Sequence, residues 1–240
     1  MVSGRAAAVM AIGVSVAAYA VDIRATRTVS GVRLRVSVTD PATRAPVRRF
    51  EVIDDKPLHL FVVGGAGLRV FRHELPEQQR DGSFSADLDL PEAGLYMAFA
   101  EFVPERGWPQ HAQQAFTTGS GLAVRTGDPA DEPHVSNGIR AAMDASELKS
   151  GAFSRLAFDL TDDASGAPVK QLEPYLGAPA HLFAVSSDLT EGQHLRAQDE
   201  SRGPRIVFAP LFPRKGRYKI WLQVQRAQHP STIPFVIDVP

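Results

Sequence analysis

The chain contains no cysteine, which excludes disulfide frameworks, thiolate metal sites, iron–sulfur clusters and cysteine nucleophiles. Neither charge is in excess: 26 Lys+Arg stand against 27 Asp+Glu, a formal net charge of −1. Without a basic surplus, the electrostatic footprint of a nucleic-acid binder is missing. Long hydrophobic runs are missing too. The one extended apolar stretch, residues 6–20 (AAAVMAIGVSVAAYA), is shorter than the roughly 20 residues that a membrane-spanning helix needs. The 4 methionines are scattered, whereas a methionine-rich copper(I) site needs a cluster. No GxSxG element or comparable nucleophile motif occurs, and the sequence predicts no enzyme. What is plentiful is apolar: 44% of the 240 residues are hydrophobic, too many for a disordered chain.

Residues 1–20 read as a signal peptide. Arg5 precedes the apolar run, and Ala18-Tyr19-Ala20 fits the small-x-small rule for cleavage. A mature start near Val21 would make the protein periplasmic or secreted, with no membrane span left after cleavage. An uncleaved anchor, or a first strand over Val16–Arg24, are the alternatives.

An internal repeat organises the rest. Residues 38–63 (VTDPATRAPVRRFEVIDDKPLHLFVV) and 160–185 (LTDDASGAPVKQLEPYLGAPAHLFAV) align without a gap at an offset of 122, with 12 of 26 positions identical. Chance would give about one or two. Pro91-Glu92-Ala93-Gly94-Leu95-Tyr96 meets Pro213-Arg214-Lys215-Gly216-Arg217-Tyr218 at the same offset.

Each unit reads as short strands between turns. Val32–Val38 (VRLRVSV) alternates as a half-buried strand does, and Leu58–Val63 is continuously apolar, as in a strand covered on both faces. With 19 Gly and 18 Pro to reverse the chain, the fold class is all-β: two tandem immunoglobulin-like antiparallel β-sandwich domains. The tyrosine after each Pro-x-x-Gly turn stands where such sandwiches place a tyrosine whose hydroxyl bonds back to the chain. The boundaries are 1–20 for the signal peptide, 21–118 for the first domain, 119–137 for a Gly-, Pro- and acid-rich linker, and 138–240 for the second domain.

Histidines recur in the same places. His59 and His181 lie within the most apolar strand of each unit, and His73 and His194 follow them. A reversal centred on Ala66 would set His59 opposite His73, and one centred on Ser187-Asp188 would set His181 opposite His194. Cross-strand neighbours have Cβ atoms about 4.5–5.5 Å apart, close enough for two imidazoles to share one metal ion. Glu74 or Glu191 could add an oxygen ligand. The alternative is structural: a histidine in an apolar strand is commonly satisfied by a backbone carbonyl.

The second unit resembles a family of secreted bacterial immunoglobulin-like proteins often encoded near heavy-metal or copper resistance systems. The residues that carry the resemblance are Gly166-Ala167-Pro168-Val169, Leu172–Ala178, His181-Leu182, Phe212-Pro213 and Tyr218–Trp221. The first unit resembles a diverged copy through Leu58-His59-Leu60, Asp81–Phe84 and Pro109-Gln110. The family's His-Leu step followed by His-x-His-Pro implies metal ligands at His59, His73, His181 and His194. This chain departs from the motif, with His73-Glu74-Leu75-Pro76 in one copy and His194-Leu195-Arg196-Ala197 in the other. The resemblance implies an accessory in heavy-metal (copper) handling. The competing function is a structural or protein–protein interaction module with structural histidines. Period-two counting from Tyr218 puts Lys219, Trp221, Gln223 and Gln225 on an outer sheet face, which would suit a protein or carbohydrate contact unless the linker or the other domain covers it.

Overall fold

The computed structural model describes residues 19–119, 127–197 and 202–240. The expected signal peptide therefore lies outside the described residues except for Tyr19 and Ala20, as does the 120–126 part of the linker. Among the described residues no helix is long and apolar enough to cross a membrane.

The first unit comprises β1 (Ala20–Thr28), β2 (Gly31–Thr39), β3 (Leu58–Gly64), β4 (Val70–Glu74), β5 (Glu77–Gln78), β6 (Phe84–Leu88), β7 (Gly94–Phe102) and β8 (Gln110–Thr118). Its two sheets have the orders β1-β2-β6-β5 and β4-β3-β7-β8. The second unit comprises β9 (Val135–Ser136), β10 (Ile139–Glu147), β11 (Arg155–Asp162), β12 (Ala180–Ser186), β13 (Gly192–Arg196), β14 (Arg205–Phe208), β15 (Gly216–Arg226) and β16 (His229–Val239). It repeats the arrangement as β14-β11-β10-β9 and β13-β12-β15-β16. All strand pairings are antiparallel. The chain is all-β, two tandem sandwiches. The second sandwich takes in His134, whose ring lies 4.2 Å from that of Phe235, and β9, both ahead of residue 138.

Alternation explains each core. Val32, Leu34, Val36 and Val38 are buried while Arg33 and Arg35 face solvent, and they meet Leu60, Val62, Tyr96 and Ala98 of the facing sheet. In the second sandwich, Leu156 and Phe158 meet Leu182, Ile220, Leu222 and Phe235. β3 and β12 are buried at every position, which is why their sequences are continuously apolar instead of alternating.

Their second cover is the other domain. The outward-pointing positions of β3, β7, β12 and β15 supply Phe61, Val63, Phe99, Phe183, Val185 and Trp221, which form a third apolar cluster between the sandwiches. Phe61 stacks on its repeat counterpart Phe183 at 4.3 Å, and Phe71 stacks on Trp221 at 4.5 Å. Gly192 is required here: a Cβ at this position would lie 2.6 Å from the Phe99 ring. The outer face expected for Trp221 thus exists, but Trp221 is 2% exposed and the surface it meets is the first domain. Beside it, the buried Lys219 ammonium bonds the Ala130 carbonyl and Glu132, and the Ala130 amide bonds Gly67. The later linker is thereby tied to both domains.

Both tyrosine corners form. The Tyr96 hydroxyl donates to the Glu92 carbonyl at 2.9 Å, and that of Tyr218 bonds the Arg214 carbonyl at 3.1 Å and the Glu191 carboxylate at 2.8 Å. Tyr96→Phe is expected to cost about 1 kcal/mol, and Tyr218→Phe about 1.5–3 kcal/mol because one of its partners is charged. Urea unfolding of the two variants checks the order; equal losses would contradict it.

Candidate functional site

The four histidines come together between the domains. His59 Nδ1 lies 2.9 Å from His73 Nε2, and His181 Nδ1 lies 2.9 Å from His194 Nε2. Across the interface, ring centroids of His59 and His194 are 5.6 Å apart, and those of His73 and His181 are 6.4 Å apart. All sit at outward positions of β3, β4, β12 and β13, around the Phe61–Phe183 stack.

The expected register is corrected by two residues in both copies. Phe61, not His59, is directly opposite His73, and Phe183, not His181, is opposite His194. A short 3-10 turn over Ala66–Leu68 lengthens the first reversal. A shift of two preserves which face each side chain occupies, so each histidine pair still meets, on the diagonal. Glu191, expected as a possible oxygen donor, is instead engaged by Arg214 and Tyr218.

The pairs have the same geometry but different outer partners. His59 Nε2 donates to the Ile53 carbonyl at 2.9 Å, and His181 Nε2 donates to that of Tyr175 at 2.7 Å. These carbonyls belong to equivalent tight turns, Ile53–Lys56 and Tyr175–Ala178, each with two central residues at positive φ. At the other end, His73 Nδ1 meets the Gln223 side chain at 2.7 Å, whereas His194 Nδ1 meets the Glu101 carboxylate at 3.1 Å. Positions 101 and 223 are repeat equivalents, one acidic and one amide.

This difference decides what each pair can hold. Gln223 Oε1 is the atom placed toward His73, but the amide can be turned to present its NH2 group instead, and then His59 and His73 are satisfied as neutral rings with one ordinary hydrogen bond between them. Glu101 offers only acceptors, so His194 Nδ1 carries hydrogen, as does His181 Nε2. The two remaining nitrogens then face each other at 2.9 Å as lone pairs, an unfavourable contact between neutral rings that a metal ion bound to both would relieve.

A third donor completes the group. Asp54, Glu101's companion from the first domain, offers a carboxylate oxygen that lies within 4.8 Å of the ligand nitrogens of His181 and His194. Asp54 is 7% exposed, and its Oδ1 is in ion-pair contact with the Arg196 guanidinium. Its repeat equivalent is Leu176, at the same place in the second turn. Among the described residues, Asp54, His181 and His194 form a group that could hold a metal ion, with the Asp54 carboxylate paired to the Arg196 guanidinium. His59 and His73 stand outside that group. Sequence reasoning missed Asp54 and Glu101 because both reach the second-domain pair from the first domain.

Burial sets the protonation. Desolvation, then the nearby His194, push His181 down to about 4 and His73 down to about 2, and desolvation lowers His59 as well. Burial alone would raise the Glu101 carboxyl, but hydrogen bonds from His111 and His194 outweigh it and hold it at about 2. The folded state therefore binds fewer protons than the unfolded chain as pH falls below the ordinary histidine value of about 6.5. The stabilising contribution of His181 and His73 is fully present above about 6.5, and is lost as pH falls toward about 4 for His181 and about 2 for His73. Glu101 adds a further loss below about 4.5. Each histidine steepens the fall by up to about 1.4 kcal/mol per pH unit. Urea midpoints at pH 7.5, 6 and 5 should drop in that order; a flat series would contradict the burial of neutral imidazoles.

The sequence model of a domain of unknown function (DUF8832) matches residues 134–240. No curated protein matches the chain significantly. Among solved structures, the chain is similar to a two fibronectin type-III domain segment from chicken tenascin, with 14% identity over 92% of this chain and 100% of that one and a TM-score of 0.26. It is also similar to the chicken interferon gamma receptor alpha chain, with 11% identity, 93% and 98% coverage and a TM-score of 0.28.

Proposed function

We propose that this chain is an exported, non-catalytic binding protein that holds one copper or zinc ion between its two domains, as an accessory in metal handling. One observation carries the reading: two imidazole nitrogens at 2.9 Å face each other with their outer nitrogens occupied, within 4.8 Å of a buried carboxylate oxygen of Asp54. His181 Nδ1, His194 Nε2 and Asp54 would hold the ion. Two imidazoles and a carboxylate suit zinc and copper(II). Glu101 would support His194 as a carboxylate hydrogen-bonded to the far nitrogen of a metal-ligating histidine. Export is supported by the leader-like residues 1–20.

His59 and His73, offered by the sequence as a second ligand pair, take a structural role in this reading because neutral rings satisfy them. Calorimetric titration of copper(II) and of zinc into the full chain tests the assignment. We expect one ion per chain at micromolar affinity or tighter, and loss of binding in His181→Ala. Wild type without binding at that level would overturn the metal reading. Unchanged binding by His181→Ala would overturn the site.

A further inference from the structure

We propose that the metal site takes a small carboxylate as a second ligand, held by Arg196 in the cavity between the domains. This rests on the metal reading above. A cavity of about 200 Å³ opens beside the histidines, and Asp54 and His194 of the ligand group form part of its wall. At about 30 Å³ per water molecule it has room for roughly six waters. His181, His194 and Asp54 would provide three ligands, and a three-ligand site keeps a position open; because Asp54 and His194 line this cavity, a molecule in it would reach the ion from their side.

The chemistry of the walls selects the occupant. Arg196 and Lys56 both line the cavity. Arg196 is in contact with Asp54, and an Asp54 carboxylate engaged by a cation no longer satisfies that guanidinium. Lys56 is exposed and closes the Ile53–Lys56 turn. Glu101 also lines the cavity, but its two oxygens are taken by His111 and His194. The added positive charge of the ion and the released Arg196 fork then favour a planar anion, which a guanidinium binds through two parallel hydrogen bonds. Ion and carboxylate each strengthen the binding of the other, because each relieves the Asp54–Arg196 contact in favour of its own.

Cobalt(II) loaded into the full chain gives a visible spectrum that reports its ligands, and acetate is a probe too weak to strip the metal. Acetate should change that spectrum saturably. Arg196→Met, read in cobalt-saturated samples because loss of the Asp54–Arg196 contact should itself raise cobalt affinity, should weaken acetate binding about tenfold or more, since one charge-assisted contact is removed. Lys56→Met, at an exposed turn, should weaken it about two- to fivefold. Cobalt uptake with a spectrum that acetate does not move, or equal acetate affinity in Arg196→Met and wild type, would overturn the second ligand alone. Absence of cobalt uptake would overturn the metal reading and this inference with it.

Discussion

Replacing Phe61 with alanine is expected to lower the unfolding free energy by about 3–5 kcal/mol and to uncouple the two sandwiches. Phe61 has no exposed surface, yet it belongs to neither sandwich core. It stacks on Phe183 at 4.3 Å and on His73 at 4.2 Å, and lies 4.8 Å from His194. Truncation removes the ring that His59, His73 and His194 pack against and leaves a cavity that neither domain can close by itself. Leu60→Ala, one residue away, removes a side chain from inside the first sandwich instead. Differential scanning calorimetry separates the two effects. Leu60→Ala should lower the first domain's stability with the domains still docked. Phe61→Ala should split the unfolding into two transitions, because the interface that couples them is lost. A single unshifted transition in Phe61→Ala would show that the interface adds little.

The parts of this architecture that repeat were legible in the sequence, because a gapless offset fixes homologous strands without any knowledge of packing. The same offset found both tyrosine corners, whose partners lie four residues back in the chain. Parity arguments placed Trp221 and the histidines on outward faces, and a register error of two left that placement intact. What covers those faces was open, since docking of one domain on another leaves no periodic mark. The signal that could have found the site lies where the copies differ. Asp54 against Leu176, and Glu101 against Gln223, are charges that one copy has and the other lacks. Such breaks in symmetry look like drift until the fold shows that both acids converge on one histidine pair.

That asymmetry makes the second large prediction, a lopsided response of metal affinity to matched substitutions. Structural zinc sites bind with about 10–16 kcal/mol shared among four ligands, so one ligand is worth roughly 3 kcal/mol, or about two powers of ten. His194→Ala and Asp54→Leu should each weaken copper(II) or zinc binding by about a hundredfold. Asp54→Leu places in the first turn the residue type that Leu176 already supplies in the second. Glu101→Gln gives His194 the partner that His73 has in Gln223; the supporting carboxylate is lost, and affinity should fall about 10–100-fold. His73→Gln keeps a hydrogen-bonding partner for His59 and should leave affinity within about threefold, because no ligand and no supporting carboxylate is touched. Titrations at fixed pH read all four, and the pH must be held because protons compete with the ion for the imidazole nitrogens. Equal losses from His73→Gln and His194→Ala would mean that the ion uses both histidine pairs. The carboxylates would then not be what distinguishes one half of the interface from the other.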